Sequence, residues 1–488
     1  MMEDWEEIEI CEIGEIITGG TPSKKNLAYY SSNDFPFYKP TDLNKGINIS
    51  NSKDHLSLLG YEKSRKATAN SVLVTCIGAT IGKTGLIKKE GAFNQQINAI
   101  TPREAVVSEY VYYQVIGSEF QGEIKNNASS TTLPILNKGK FSKLRFKLPP
   151  LPIQRAIVSK IENLFSSLDS GIADLKKAQE QLKIYRQAVL KKAFEGELTK
   201  EWREQQTDLP SAEETLDKIS IERNKWIDKE IQNGNNEAKR IRSKISKFES
   251  SENVVPLPTA WQWTHFILAC TFVIDCHNKT APYEEKGIYL IRTTNIRDGK
   301  LNLRAKIKFV SEDTYNHWSK RVFPQPGDIV FTREAPMGEA AIIPPSTKIC
   351  LGQRTMILRA HDPLLNRKYL LYNILSEVFQ QRFRKSAIGT GVKHLRVGDV
   401  ESLSFPLCSP EEQVRVVKEI ESRLSVCDKV GDSIKDSLAK AQALRQSILK
   451  KAFNGKLLTA SEIERCKQET DYEPASVLLE RIRKEKAK

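Results

Sequence analysis

Residues 78 to 85, GATIGKTG, have the composition of a phosphate-gripping loop, with glycines for close backbone approach and a Lys-Thr pair for a phosphate and its metal ion. The glycines stand one residue closer than G-x-x-x-x-G-K-[ST] requires, and the corresponding stretch later in the chain, APMGEAA at 335 to 341, has neither lysine nor hydroxyl. The segment therefore reads as a tight turn between strands. The six histidines, at 55, 265, 277, 317, 361 and 394, form no i, i+4 pair, and the loose group Cys270, Cys276 and His277 is short of a zinc ligand set. No G-x-S-x-G elbow, H-E-x-x-H motif or Asn-Pro-Pro-aromatic motif occurs. Such a chain is expected to catalyse nothing and to need no metal and no cofactor of its own; it positions chemistry performed elsewhere.

The charge says what kind of surface it meets. With 75 Lys and Arg against 61 Asp and Glu, the formal net charge is +14, which points to a polyanion, nucleic acid before membrane. The start, MMEDWEEIEI, is acidic and lacks a basic region followed by an apolar one, and no apolar run approaches a membrane span. The eight cysteines make no Cys-x-x-Cys pair, so reduced thiols in a cytoplasmic protein are expected. At 39% hydrophobic residues with six Trp, the chain has material for real cores.

The chain is written twice. Residues 186 to 198, RQAVLKKAFEGEL, and 445 to 457, RQSILKKAFNGKL, share nine of thirteen positions. The same offset of 259 pairs Gln154 with Gln413, Ile161-Glu162 with Ile420-Glu421, and Asp169 with Asp428. Further back, NSVLVTCIG at 70 to 78 parallels GDIVFTREA at 327 to 335, and NQQINAI at 94 to 100 parallels GQRTMIL at 352 to 358. Two domains share a framework and differ in their loops.

Residues 1–150 and 256–407 read as two similar mixed domains of short strands, helices and Gly, Pro, Asn and Ser turns, an α+β class. Each precedes a long helix, at 151–200 and 408–458. Val158, Ile161, Phe165, Leu168, Ile172, Leu175 and Leu182 alternate steps of three and four, as do Val417, Ile420, Leu424, Cys427, Gly431, Ile434, Leu438 and Ala441. That spacing predicts an antiparallel coiled coil of two spacer helices related by a pseudo-two-fold repeat. Residues 201–255 read as a polar, partly helical connector and 459–488 as a helical tail.

In this setting the order of motifs resembles the specificity subunit of type I restriction-modification enzymes over essentially the whole chain. The residues that carry the resemblance are LPPLPIQRAIVSKIE at 148 to 162, LKKAFEGELT at 190 to 199, PLCSPEEQVRVVKEIE at 406 to 421, LKKAFNGKL at 449 to 457, and Gly-Gly-Thr-Pro at 19 to 22. Ile153 and Cys408-Ser409 depart from the family's acidic residue and proline pair. The resemblance implies that each variable domain, a target recognition domain, reads one half of a bipartite double-stranded DNA target while the helices set the gap. It further implies two methyltransferase subunits that carry S-adenosylmethionine and methylate adenine, and a restriction and translocase subunit that uses ATP and Mg. The rival class is a coiled-coil scaffold with non-specific nucleic-acid binding.

Base reading needs paired donors and acceptors, and phosphate holding needs cations, hydroxyls and amides. Loops rich in these nominate Thr21, Lys24, Lys39, Thr41, Lys83, Gln95, Lys138 and Lys140 in the first domain. In the second they nominate Arg292, Thr294, Asn295, Arg297, Arg333, Arg354, Lys393, His394 and Arg396. Phe194 and Phe453, beside Gly196 and Gly455, are expected to anchor a helix end or a partner interface. Gln154 and Gln413 are expected as capping residues or partner contacts, and the pairs Lys191-Lys192 and Lys450-Lys451 as solvated helix ends or partner or phosphate contacts.

Overall fold

A computed structural model describes residues 4–129, 133–249, 256–277, 279–304, 306–386 and 394–487. The chain forms two compact units, one of Met1–Lys177 with Ile434–Lys488 and one of Ala178–Ser433, so each takes part of both long helices.

In the first unit a four-stranded antiparallel sheet runs in the order Gly14–Thr18, Ile97–Pro102, Val72–Thr75, Thr84–Leu86. A second sheet has the order Asp54–Leu56, Phe35–Tyr38, Gly91–Phe93, Lys66–Ala67, with its middle pair parallel. The second unit repeats the plan with Cys270–Asp275, Thr355–Ala360, Ile329–Thr332, Ala340–Ile342 in one sheet, and Lys308–Val310, Ile288–Ile291, Ile349–Leu351 in the other. The sequences VLVT and IVFT lack alternation because both are central strands buried along their whole length. Two helices follow each sheet, Ser108–Ile116 and Ser118–Asn127 in one unit, Arg367–Leu375 and Glu377–Ser386 in the other.

The long helices are Leu151–Phe194 and Pro410–Phe453, 44 residues each. Along their middles the seam residues Ile172, Leu175 and Leu182, and Leu424, Cys427, Gly431, Ile434, Leu438 and Ala441, are withdrawn from solvent while most neighbours are exposed. Their antiparallel sense is fixed inside each unit. Arg445 pairs with Asp169 in the first unit and Arg186 with Asp428 in the second, at the repeat offset of 259. Arg445 also lies over the Phe165 ring, 4.8 Å from its centroid. Burying Ile161 and Ile420 completely contributes about 1.5–3 kcal/mol each, more than such exposed ion pairs supply.

Both helices stop in the same way. Gly196 and Gly455 adopt φ of 78° and 65°, the left-handed region that a side chain disfavours. The Glu197 amide then reaches back to the Lys192 carbonyl at 2.9 Å and the Lys456 amide to that of Lys451 at 2.8 Å, satisfying carbonyls the helix end would orphan. This explains the glycine of the repeated LKKAFxG.

The starts differ. The second helix is capped by Ser409, whose Oγ accepts from the Glu412 amide at 3.1 Å. Glu412 itself is buried, and its carboxylate accepts from Thr199 Oγ1 at 2.7 Å, Arg203 Nε at 2.8 Å and Trp261 Nε1 at 2.8 Å. In the first unit the repeat-equivalent positions hold Ile153, one repeat before Glu412, and Leu458, one repeat after Thr199, with Trp5 preceding the first strand as Trp261 precedes its own. These three line an open pocket of about 250 Å³ that Asp4, Glu464 and Lys467 also border.

Residues 200–249 are more structured than their polar composition suggests. They form helices Lys200–Glu204, Ala212–Gln232 and Asn236–Ser246 packed on the second unit. The buried stripe Thr215, Ile219, Arg223, Ile227 has only two apolar members, because Arg223 turns inward to donate to the carbonyls of Ile267 (3.0 Å) and Leu268 (2.5 Å).

Candidate nucleic-acid interface

The GATIGKTG segment is a hairpin connection. The Gly82 amide bonds the Thr75 carbonyl and the Thr75 amide that of Lys83, both at 2.8 Å, and a strand follows where a phosphate loop needs a helix. Cys270 and Cys276 belong to different hydrophobic clusters, so they do not converge with His277 on one site. The buried Cys76 thiol is pushed up to about 12, chiefly by burial, which favours its protonated form.

In the first unit four loops converge at one end of the sheets. The Gly19 and Gly20 amides bond the carbonyls of Ile97 and Phe93, both at 3.0 Å; the Cys76 amide bonds Gln96 O at 2.7 Å; and the Leu136 amide bonds Cys76 O at 2.8 Å. Thr21 Oγ1 donates to Gln95 Oε1 at 2.5 Å, and the Asn94 amide bonds Tyr38 O at 3.1 Å, bringing Lys39 alongside. Thr21, Lys39, Gln95 and, on the short helix Lys138–Ser142, Lys138 are thereby gathered, with Lys24 and Lys83 on the same loops. Lys39 is half-buried against Asp54 at 2.8 Å. Lys140 is exposed and donates to Asn127 O at 3.2 Å, and Thr41 is exposed at the mouth of the turn Asp42–Lys45. Buried Asp42 braces that turn by accepting from the amides of Lys39 (2.8 Å) and Lys53 (3.0 Å).

The second unit repeats the convergence with different side chains. The Arg333 amide bonds Arg354 O at 2.9 Å, the Leu395 amide bonds Arg333 O at 3.1 Å, and the Gly352 amide bonds Ile291 O at 2.8 Å. Arg292, Arg333, Arg354, His394 and Arg396 are so brought to one end, with Arg354 paired to Glu334 at 2.7 Å. Thr280 Oγ1 donates to Gln353 Oε1 at 3.2 Å, a second copy of the Thr21–Gln95 clasp. Neither Thr280 nor Gln353 was among the nominated residues, although the offset from Thr21 lands on Thr280 and the NQQINAI–GQRTMIL match places Gln353 opposite Gln95. Each clasp steadies a glutamine amide, the group that offers adenine a donor and an acceptor together.

Other nominated residues do different work. Asn295 is fully buried, and its Oδ1 accepts from the Arg292 amide at 3.2 Å, as asparagine does in turns; it braces the loop and does not read from it. Arg297 is exposed but spends donors on the carbonyls of Thr293 (3.1 Å) and Ile296 (2.6 Å), while Thr294 is exposed in the same turn. Lys393 lies outside the described residues.

Gln154, Gln413, Phe194 and Phe453, each expected either at a helix end or at a partner contact, face inward. Gln154 is buried, accepting from the Val107 amide at 2.9 Å and donating to Pro149 O at 2.9 Å; Gln413 accepts from the Asn366 amide at 2.7 Å and donates to Cys408 O at 2.9 Å. Phe453 meets Tyr110 edge-on at 5.4 Å in the first unit, and Phe194 meets Tyr369 at 5.2 Å in the second. Each tyrosine hydroxyl in turn holds a backbone carbonyl, of Lys147 or Pro406, at 2.9 Å. These groups lock the long helices to the domains, so a partner must find other side chains. Among the described residues no helix is long and apolar enough to cross a membrane.

Duplicated sheets, twin clasps and basic loop clusters are the architecture of a repeated recognition protein. Solved structures share it: a chain from work on complex assembly and conformational transition of the type I R-M system matches with TM-score 0.64 at 16% identity over 93% of this chain and 98% of that one. The HsdS subunit from Thermoanaerobacter tengcongensis matches with TM-score 0.50 at 16% identity over the same shares. In sequence, the chain is 26% identical over 401 residues to the type I restriction enzyme EcoBI specificity subunit of Escherichia coli, covering 81% of this chain and 75% of that protein. It is 23% identical to the EcoDI specificity subunit of the same species over 99% and 96%. The profile of the type I restriction modification DNA specificity domain matches residues 2–179 and 275–438, and the chain belongs to that family.

Proposed function

We infer that the protein is the sequence-specific DNA-recognition subunit of a type I restriction-modification complex and performs no catalysis itself. Each basic loop cluster reads one half of a bipartite duplex target, and the long helices set the unread gap between the halves. Two methyltransferase subunits bound through the duplicated helical regions supply S-adenosylmethionine and methylate adenine, and a translocating nuclease subunit supplies ATP- and Mg-dependent restriction, all in the cytoplasm. The observation that carries this reading is the twin Thr–Gln clasp, set among cations that differ between the two domains while the framework repeats. Different side chains on one framework are what two different half-sites require.

Exchanging residues 1–150 for the corresponding domain of a relative, followed by genome-wide methylation mapping, tests it. One half of the methylated motif changes, and the other half and the gap stay. A motif that changes in both halves, or in neither, overturns the assignment.

A further inference from the structure

We propose that Leu27 is a wedge that enters the target duplex between two base pairs of the half-site read by the first domain and unstacks that step. This rests on the reading of the chain as a DNA-recognition subunit and adds a second mode of recognition to it. Leu27 is 79% exposed, the most exposed of the large hydrophobic side chains among the described residues. An isolated exposed leucine is ordinary. This one is held out on a rigid support. Asn26 caps its short turn by accepting from the Ala28 amide at 3.1 Å. Ser57 holds the turn from behind, its Oγ donating to Ala28 O at 2.6 Å and its amide to Tyr29 O at 3.0 Å, and the Tyr30 hydroxyl donates to Pro22 O at 2.8 Å. The backbone that carries Leu27 is thus fixed before any partner arrives.

Its surroundings select DNA as that partner. Lys24 and Lys25 precede it, both exposed and neither ion-paired among the described residues. The loop springs from the Thr21–Gln95 clasp, and the exposed Arg65 lies against Gly20 at its base. In the second domain the repeat offset from Leu27 lands on Lys286, and the exposed large side chain of the corresponding loop is Tyr283, three residues beyond Thr280 and 46% exposed with Lys308 Nζ 5.3 Å from its centroid. An apolar tip flanked by cations beside a base-reading clasp is the arrangement by which proteins pry open a base step, anchoring on phosphates while the side chain replaces a stacked neighbour. Unstacking costs differ between steps, so the wedge discriminates sequence at a position that no hydrogen bond reads.

The test uses the full-length chain and duplexes carrying the target found by methylation mapping, with 2-aminopurine placed at each position of the first domain's half-site in turn. The unmodified protein brightens one position, Leu27→Met retains the signal, and Leu27→Ala abolishes it while weakening binding about tenfold. A mismatch that pre-opens the same step restores the Leu27→Ala affinity. The double variant Lys24→Ala/Lys25→Ala keeps the fluorescence and lowers the slope of log affinity against log salt by about 1 to 2. The wedge is refuted if the target is bound tightly with no position brightened, if Leu27→Ala binds the matched duplex as well as the parent, or if it instead loses a protein partner, as a docking patch shared with exposed Leu58 and Leu59 would. Failure of the parent protein to prefer its target over a scrambled duplex would sink the recognition reading itself, and shows before any variant is made.

Discussion

Replacing Glu412 with Ile in the second unit imports the side chain that stands one repeat earlier at Ile153 and strips the buried donors of Thr199 and Trp261 and the half-buried Arg203 of their acceptor. Arg203, its side chain 17% exposed, keeps a 2.7 Å bond to Gly196 O, so its guanidinium is left partly served; Thr199 Oγ1 and Trp261 Nε1 lose the bonds described above. Breaking one side of a buried pair costs about 3–5 kcal/mol. The retained Gly196 bond and residual exposure place this case near the lower end, about 3 kcal/mol. Glu412→Gln keeps an acceptor and gives up only charge assistance, about 1–2 kcal/mol. The double variant Arg203→Met/Glu412→Ile no longer buries an unpaired cation and recovers about 2 kcal/mol relative to the sum of the two single changes. Calorimetry reads these as the melting temperature of the unit holding residues 178–433, at roughly 2–4 °C per kcal/mol, so Glu412→Ile lowers it by about 6–12 °C. A single variant within about 1 °C of the parent, or a double variant that is simply additive, would show that the carboxylate network is not what locks this helix start.

Phe453→Ala removes a 5%-exposed ring from its edge-on contact with Tyr110 and lowers the stability of the first unit by about 3–5 kcal/mol; the melting transition of that unit, with Phe453→Leu as the milder control, checks it. Acid titration probes Glu462, whose carboxyl is held down at about 2, first by the 2.7 Å bond from Lys160 and then by the Thr459 amide and hydroxyl. A folded-state value below the ordinary 4.5 means that the stabilisation is full above that pH and disappears as the pH falls from there toward 2. Glu462→Gln therefore flattens the fall in melting temperature across that window and leaves the slope near neutrality unchanged, whereas an unchanged acid slope would refute the assignment.

The helical frame was legible because the repeat and the three-four spacing are written in apolar residues, with Ile161 and Phe165 of the first seam buried and Leu168, Ile172, Leu175 and Leu182 half-buried between exposed neighbours. The strands Val72–Thr75 and Ile329–Thr332 were legible for the same reason. Polar residues were harder. Gln154 and Gln413 read equally as capping residues or partner contacts until the amides of Val107 and Asn366 are seen to need acceptors, and Asn295 looks like a base reader until its turn closes on it. Whether a polar side chain faces water or a buried backbone group depends on chain segments distant in sequence, which composition does not record. The repeat register places Thr280 opposite Thr21 and Gln353 opposite Gln95, a signal that loop composition by itself does not carry.

The division of the chain also dictates an order of events at synthesis. The unit spanning residues 178–433 is one continuous stretch and gains all its contacts while translation is still under way. The other draws on two separated stretches, so residues 1–177 emerge early and must wait for the segment beginning at Ile434 before Leu449 and Phe453 can close its main core. The unit begun first is thus the last to complete its main core, although its smaller cluster around Tyr38 and Phe93 needs nothing beyond residue 99.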